Sequence, residues 1–124
     1  VPVPTTDPVV RGLRLVAPLV TVAFGALVLA GLLAGTFASE GEQILALGWG
    51  RITLVDTYLA FGLAIGWAWL RERPTTAAAL TVGIVVLGSV VIWGLVAAAA
   101  WRAADRRELL LGRRSGPADG RADP

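Results

Sequence analysis

The chain has 124 residues and a formal net charge of +2; 56% of its residues are hydrophobic and 16% charged, against roughly 25% charged in soluble domains. It holds no His, Cys, Met, Lys or Asn, and all 11 basic residues are Arg. That excludes disulfides, thiolate nucleophiles, imidazole bases and the usual zinc or iron–sulfur ligand sets, so no catalysis, cofactor or metal is expected.

The chain begins at Val1 without a Met, which points to a non-standard start or a removed initiator. The lack of Lys and Asn beside abundant Ala, Gly, Arg and Pro suggests GC-rich coding and a bacterial or archaeal source. Residues 1–12 read as a flexible N-terminal tail. Residues 13–111 read as one three-helix transmembrane domain, and 112–124 as a disordered C-terminal tail with Gly116-Pro117 and Gly120.

The first apolar stretch, Leu15 to Ser39, is 25 residues without a charge. A helix needs about 20 apolar residues to cross a hydrocarbon core of roughly 30 Å. A transmembrane helix is therefore expected at about 15–38. The stretch has some marks of a signal peptide, with Arg11 and Arg14 before it and Thr36-Phe37-Ala38 as a small-residue site. Its length, well beyond the usual 7–15 apolar residues, favours a retained helix. Glu40 and Glu42 follow in a solvent-facing turn, and residues 43–50 read as a short interfacial segment anchored by Trp49.

The second stretch, Ile52 to Leu70, is interrupted only by Asp56; a span is expected over 52–71. Asp56 is the one ionisable side chain inside an expected span. Such residues are functional candidates, because charge inside the bilayer is costly. A structural account stands beside it: Thr53-Leu54-Val55-Asp56 fits a capping box, with Thr53 as N-cap and the acid three residues on. Arg51, on the adjoining turn, is placed to pair with Asp56. With Thr53, Thr57 and Tyr58 these residues form a candidate polar cluster, whose acid and hydroxyls suit a cation, a lipid headgroup or a hydrogen-bonded helix entrance.

The third stretch, Pro74 to Trp101, is 28 residues without a charge, and a span is expected over 75–101. The short link Arg71-Glu72-Arg73-Pro74 makes the second and third spans antiparallel neighbours. The fold class expected is thus all-α, with three transmembrane helices. A β-barrel is excluded, because the runs are apolar on every face rather than alternating.

Gly31 and Gly35 in the first span, and Gly62 and Gly66 in the second, form GxxxG pairs. Small faces let helix backbones approach within a membrane. Packing among the three spans is their expected use, with self-association as the lesser one. Trp67, Trp69 and Trp101 stand at span ends as an aromatic belt.

Orientation contradicts itself. Arg11 and Arg14 precede the first span, and Arg71 and Arg73 follow the second, so the positive-inside rule puts the N-terminus in the cytoplasm. Three spans would then export a tail carrying Arg102, Arg106, Arg107, Arg113 and Arg114. An antiparallel dual-topology dimer would show such a bias; a tail ignored by the insertion machinery explains it more simply. N-in is favoured narrowly.

Trp49, Thr53-Leu54-Val55-Asp56, Tyr58, Trp67, Arg71-Glu72 and Leu87-Gly88-Ser89 occur in an order and spacing that resembles a family of small three-span membrane proteins, catalogued as domain of unknown function 1475. The similarity covers about residues 13–101, most specifically 49–73. It implies the three-span architecture and gives weight to Asp56 and Tyr58, but implies no activity. The chain reads as a small protein of the cell membrane acting by interaction, as an assembly or accessory component. Its partners would be the lipid bilayer and other membrane subunits or itself, not nucleic acid. The alternative is a homo-oligomeric transporter or channel with Asp56 facing the conduit.

Overall fold

The computed structural model describes residues 1–112; the expected disordered tail lies almost wholly outside them. Every regular element among the described residues is helical: α1 (Pro8–Ala34), α2 (Phe37–Ala46), α3 (Gly48–Arg71), α4 (Pro74–Leu87), α5 (Ser89–Arg102) and α6 (Arg106–Leu111). Two of them, α1 and α3, are long and apolar enough to cross a membrane.

Helix α1 starts at Pro8, seven residues before the expected 15, so residues 8–12 belong to the helix and not to a tail. The cause is local. Asp7 is the N-cap and accepts a hydrogen bond from the Val9 amide at 2.9 Å, and Pro8 at the first helical position has no amide to leave unsatisfied. The helix runs 27 residues, about 40 Å. It ends at Gly35, whose φ of 73° suits glycine and whose amide donates to the Leu32 carbonyl.

Helix α2 has no buried residue and carries Glu40 in its first turn. The expected interfacial segment 43–50 is divided between the end of α2 and the first turn of α3, around extended Leu47. A Cβ at Gly50 would overlap the Ile44 carbonyl oxygen, so the α2–α3 corner requires glycine there.

The expected span 75–101 is not one helix. At Gly88 the chain takes φ 58° and ψ −129°, a region essentially reserved for glycine, and turns back on itself. A Cβ at Gly83 would lie 3.3 Å from the Val91 methyls, although eight residues of continuous helix would separate them by about 12 Å. Arg102 at the end of α5 shares a cavity with Arg71 and Thr76 at the start of α4. The two 14-residue arms therefore form an antiparallel hairpin, each about 21 Å long and too short to cross roughly 30 Å of hydrocarbon.

Packing follows a row: α1 on α5, α5 on α4, α4 on α3. Val10 of α1 is buried with Ala99, Ala100, Ala103 and Leu109. Higher up, Gly94 faces Thr21 and Gly25 faces Val90. Small residues on α5 are what allow this close approach. The glycines expected to pack the spans do not do so. Gly31, Gly35, Gly62 and Gly66 each have no described residue within 4 Å of a Cβ, and the contacts among α1, α3, α4 and α5 fall at Gly25, Gly83, Gly88 and Gly94 instead.

The hairpin decides which ends meet. The Val3 amide donates to the Trp101 carbonyl at 3.1 Å, and Arg106 pairs with Asp7 at 2.9 Å. Arg14 donates to the carbonyls of Ala100 at 2.7 Å and Ala103 at 2.9 Å, and to that of Val3. Trp67 donates from its indole to the Leu110 carbonyl at 3.0 Å. Both ends of the described chain thus lie at one pole, with Arg11, Arg14, Arg71, Arg73, Arg102, Arg106 and Arg107. Glu40, Glu42 and Arg51 lie at the other.

Candidate functional site

The cluster expected at the start of α3 does not converge. Because α3 begins at Gly48 with Leu47 before it, Thr53 is six residues in and cannot be an N-cap. Its hydroxyl donates back to the Trp49 carbonyl at 2.9 Å, and that of Thr57 to the Thr53 carbonyl at 2.8 Å. Both hydroxyls are spent inside their own helix. Asp56 is therefore not a capping residue; it stands about 12 Å along the helix from Gly48.

Residues two apart on a helix point about 200° away from each other, so Asp56 and Tyr58 occupy opposite faces. Tyr58 packs edge-on against Phe61, with centroids 5.6 Å apart and ring planes at 75°. The expected Arg51–Asp56 pair is not formed. Asp56 is exposed and its carboxylate has no hydrogen bond or ion pair among the described residues. No group of three or more Asp or Glu side chains capable of holding a metal ion occurs among them either.

A second site, at the Arg-rich pole, was missed by the sequence reading. Arg71 is buried at the end of α3. Its Nε donates to Glu72 Oε1 at 3.2 Å, and its Nη1 to the carbonyls of Glu108 at 2.9 Å and of Leu109. Its guanidinium lies 5.9 Å from the Trp67 ring centroid, within cation–π range. Asp105 caps α6 by accepting from the Glu108 amide at 2.8 Å, and Glu108 Oε2 accepts from the Ala104 amide at 2.8 Å. Arg71 thereby satisfies carbonyls at the end of α6 and ties that helix to α3.

Around this arginine lies a cavity of about 550 Å³, walled by Arg71, Glu72, Arg73, Thr76, Arg102 and Glu108. Glu72, Thr76 and Arg102 also line an adjoining cleft of about 500 Å³ between the hairpin arms, whose deeper walls are Leu80, Val91, Gly94, Leu95 and Ala98. No local motif announces this site. With residues 75–101 read as one span, Arg71 and Arg102 belong to opposite membrane faces; only the reversal at Gly88 makes them neighbours.

At the same pole, Asp7 is held below the usual carboxylate range. Partial burial raises it, but the Val9 amide and the Arg106 guanidinium together outweigh that. Compared with known proteins, the chain matches no family model, no curated protein and no solved structure.

Proposed function

We propose that this is a small integral membrane protein of the prokaryotic cell membrane, acting by interaction as an assembly or accessory component and not as a catalyst. In this reading α1 and α3 cross the bilayer and α4–α5 is a re-entrant hairpin. Both ends of the described chain then lie on the cytoplasmic side, and the conflict over orientation disappears. Seven arginines of the described residues share the pole of the chain ends, against Arg51 at the other, which is the distribution the positive-inside rule favours.

The observation that carries the interaction role is on α3. Asp56 has no partner among the described residues, and Gly62 and Gly66 on the same helix face open space. A carboxylate on a membrane helix is costly without a partner, and small residues permit close backbone approach. A second transmembrane helix supplied by another subunit would satisfy both.

The chain has no native cysteine, so single-cysteine variants test the topology directly. Thr6→Cys, Thr75→Cys and Arg107→Cys should label from one side of the membrane and Ser39→Cys from the other. Labelling of position 107 together with 39 would instead require three spans. A photo-crosslinker at Gly62 should give a protein adduct that Asp56→Asn weakens. Loss of ion flux in proteoliposomes on Asp56→Asn, with the adduct unchanged, would favour the conduit reading instead.

A further inference from the structure

We propose that the cleft between α4 and α5 holds an anionic phospholipid, with its phosphate at Arg73 and Arg102 and an acyl chain between the arms. This rests on the membrane placement above. The charge argument comes from how the groups are engaged. Glu72 is held by Arg71, and Glu108 accepts the Ala104 amide. Arg73 lines the polar cavity and Arg102 lines both the cavity and the cleft; both are exposed, and neither guanidinium has a hydrogen bond or ion pair among the described residues. Two guanidiniums at the pole where headgroups would lie thus pair with no carboxylate among the described residues. Phosphate is the natural complement to such a pair.

The cleft argues for a lipid over a free phosphate. From Arg102 to Val91 it extends about 16 Å along α5, and its deeper walls are Leu80, Val91, Leu95 and Ala98. The arms touch at the tip, where Gly83 meets Val91, and leave room toward the arginines, so the space is a wedge open at its polar end. Thr76 lines both the polar cavity and the cleft, and is placed at the junction of headgroup and chain. A free anion would occupy the polar part alone and leave the apolar wedge unfilled, forfeiting contacts that an acyl chain supplies. A zwitterionic choline headgroup would bring a cation against the same guanidiniums.

The test uses the full chain, first floated with vesicles of equal parts dioleoylphosphatidylglycerol and dioleoylphosphatidylcholine. Failure to float refutes the membrane reading itself. For protein that floats, native mass spectrometry from detergent micelles compares the two lipids, with inorganic phosphate as competitor. One phosphatidylglycerol should be retained about fivefold or more over phosphatidylcholine, and phosphate should not displace it. Arg73→Gln with Arg102→Gln, both surface changes, should weaken retention by about tenfold or more, as expected for roughly 1 kcal/mol per arginine. Ala98→Leu or, on the facing arm, Leu80→Phe should lower lipid retention while leaving the response to phosphate as in the wild type. Equal retention of both lipids, indifference to the double arginine change, or full displacement by phosphate would overturn the proposal.

Discussion

Replacing Gly88 by Ala puts the hairpin to the test. Gly88 sits at φ 58°, ψ −129°, and a Cβ there would lie 2.7 Å from Phe61 Cζ. Holding an L-residue in such a backbone region costs about 1–3 kcal/mol. In a continuous helix the same change is favourable by about 1 kcal/mol, the propensity difference between Gly and Ala. Together these move the balance between hairpin and straight helix by about 2–4 kcal/mol toward the latter. The overlap with Phe61 adds to this unless the ring shifts. A straight helix over 74–102 would be about 43 Å long and would carry α6 to the opposite pole, breaking the Arg106–Asp7 and Arg71–Glu108 contacts. The assay combines sided labelling of Arg107→Cys in the Gly88→Ala background with unfolding in mixed micelles. The expected result is a loss of about 2 kcal/mol or more, with part of the population labelled from the opposite side. Gly31→Ala is the control: it meets open space within a helix and should be neutral or stabilising by up to about 1 kcal/mol. Stability within 0.5 kcal/mol of wild type for Gly88→Ala, with unchanged sidedness, would refute the reversal at Gly88.

Three further outcomes follow from the same contacts. Arg71→Gln removes the donor to the Glu108 and Leu109 carbonyls; hydrogen exchange over 106–111 should speed up by at least tenfold, matching the loss of about 1.5–3 kcal/mol expected for a charged donor. Asp7 is depressed in the folded state, so its contribution is present above its ordinary value near 3.8 and is lost as pH falls through the depressed one. Protection of the Val9 amide, relative to its intrinsic exchange rate at each pH, should therefore fall on acidification below pH ~4, and Asp7→Asn should remove that dependence. Gly62→Leu should leave the stability of the isolated chain within about 0.5 kcal/mol of wild type, because no described residue lies within 4 Å of a Cβ there, yet should abolish the crosslink from α3.

Much of this architecture can be read from composition along the chain. The apolar runs, their charged borders and the all-helical class follow from hydropathy summed over many residues, which averages out local error. The expected span over 52–71 begins four residues, a little over one turn, after the start of α3 at Gly48. That small shift nevertheless overturned the capping account of Asp56, because a cap depends on one residue's position rather than on an average. The Asp7–Pro8 start of α1 is also legible in the sequence, as an N-cap followed by proline, although the apolar stretch that marks a span begins only at Leu15.

What hydropathy could not express is the direction of the chain after Gly88. A run of 28 uncharged residues is equally apolar whether straight or folded in two; the difference lies in one backbone conformation and in the contacts it permits. Those contacts are non-local: Gly83 with Val91, α5 with α1, Arg71 with the carbonyls of α6. The sequence by itself determined that the chain is helical, apolar and bordered by arginine. The tertiary structure decided that Arg71 and Arg102 share one cavity, because a reversal at a single glycine turns a span into a hairpin.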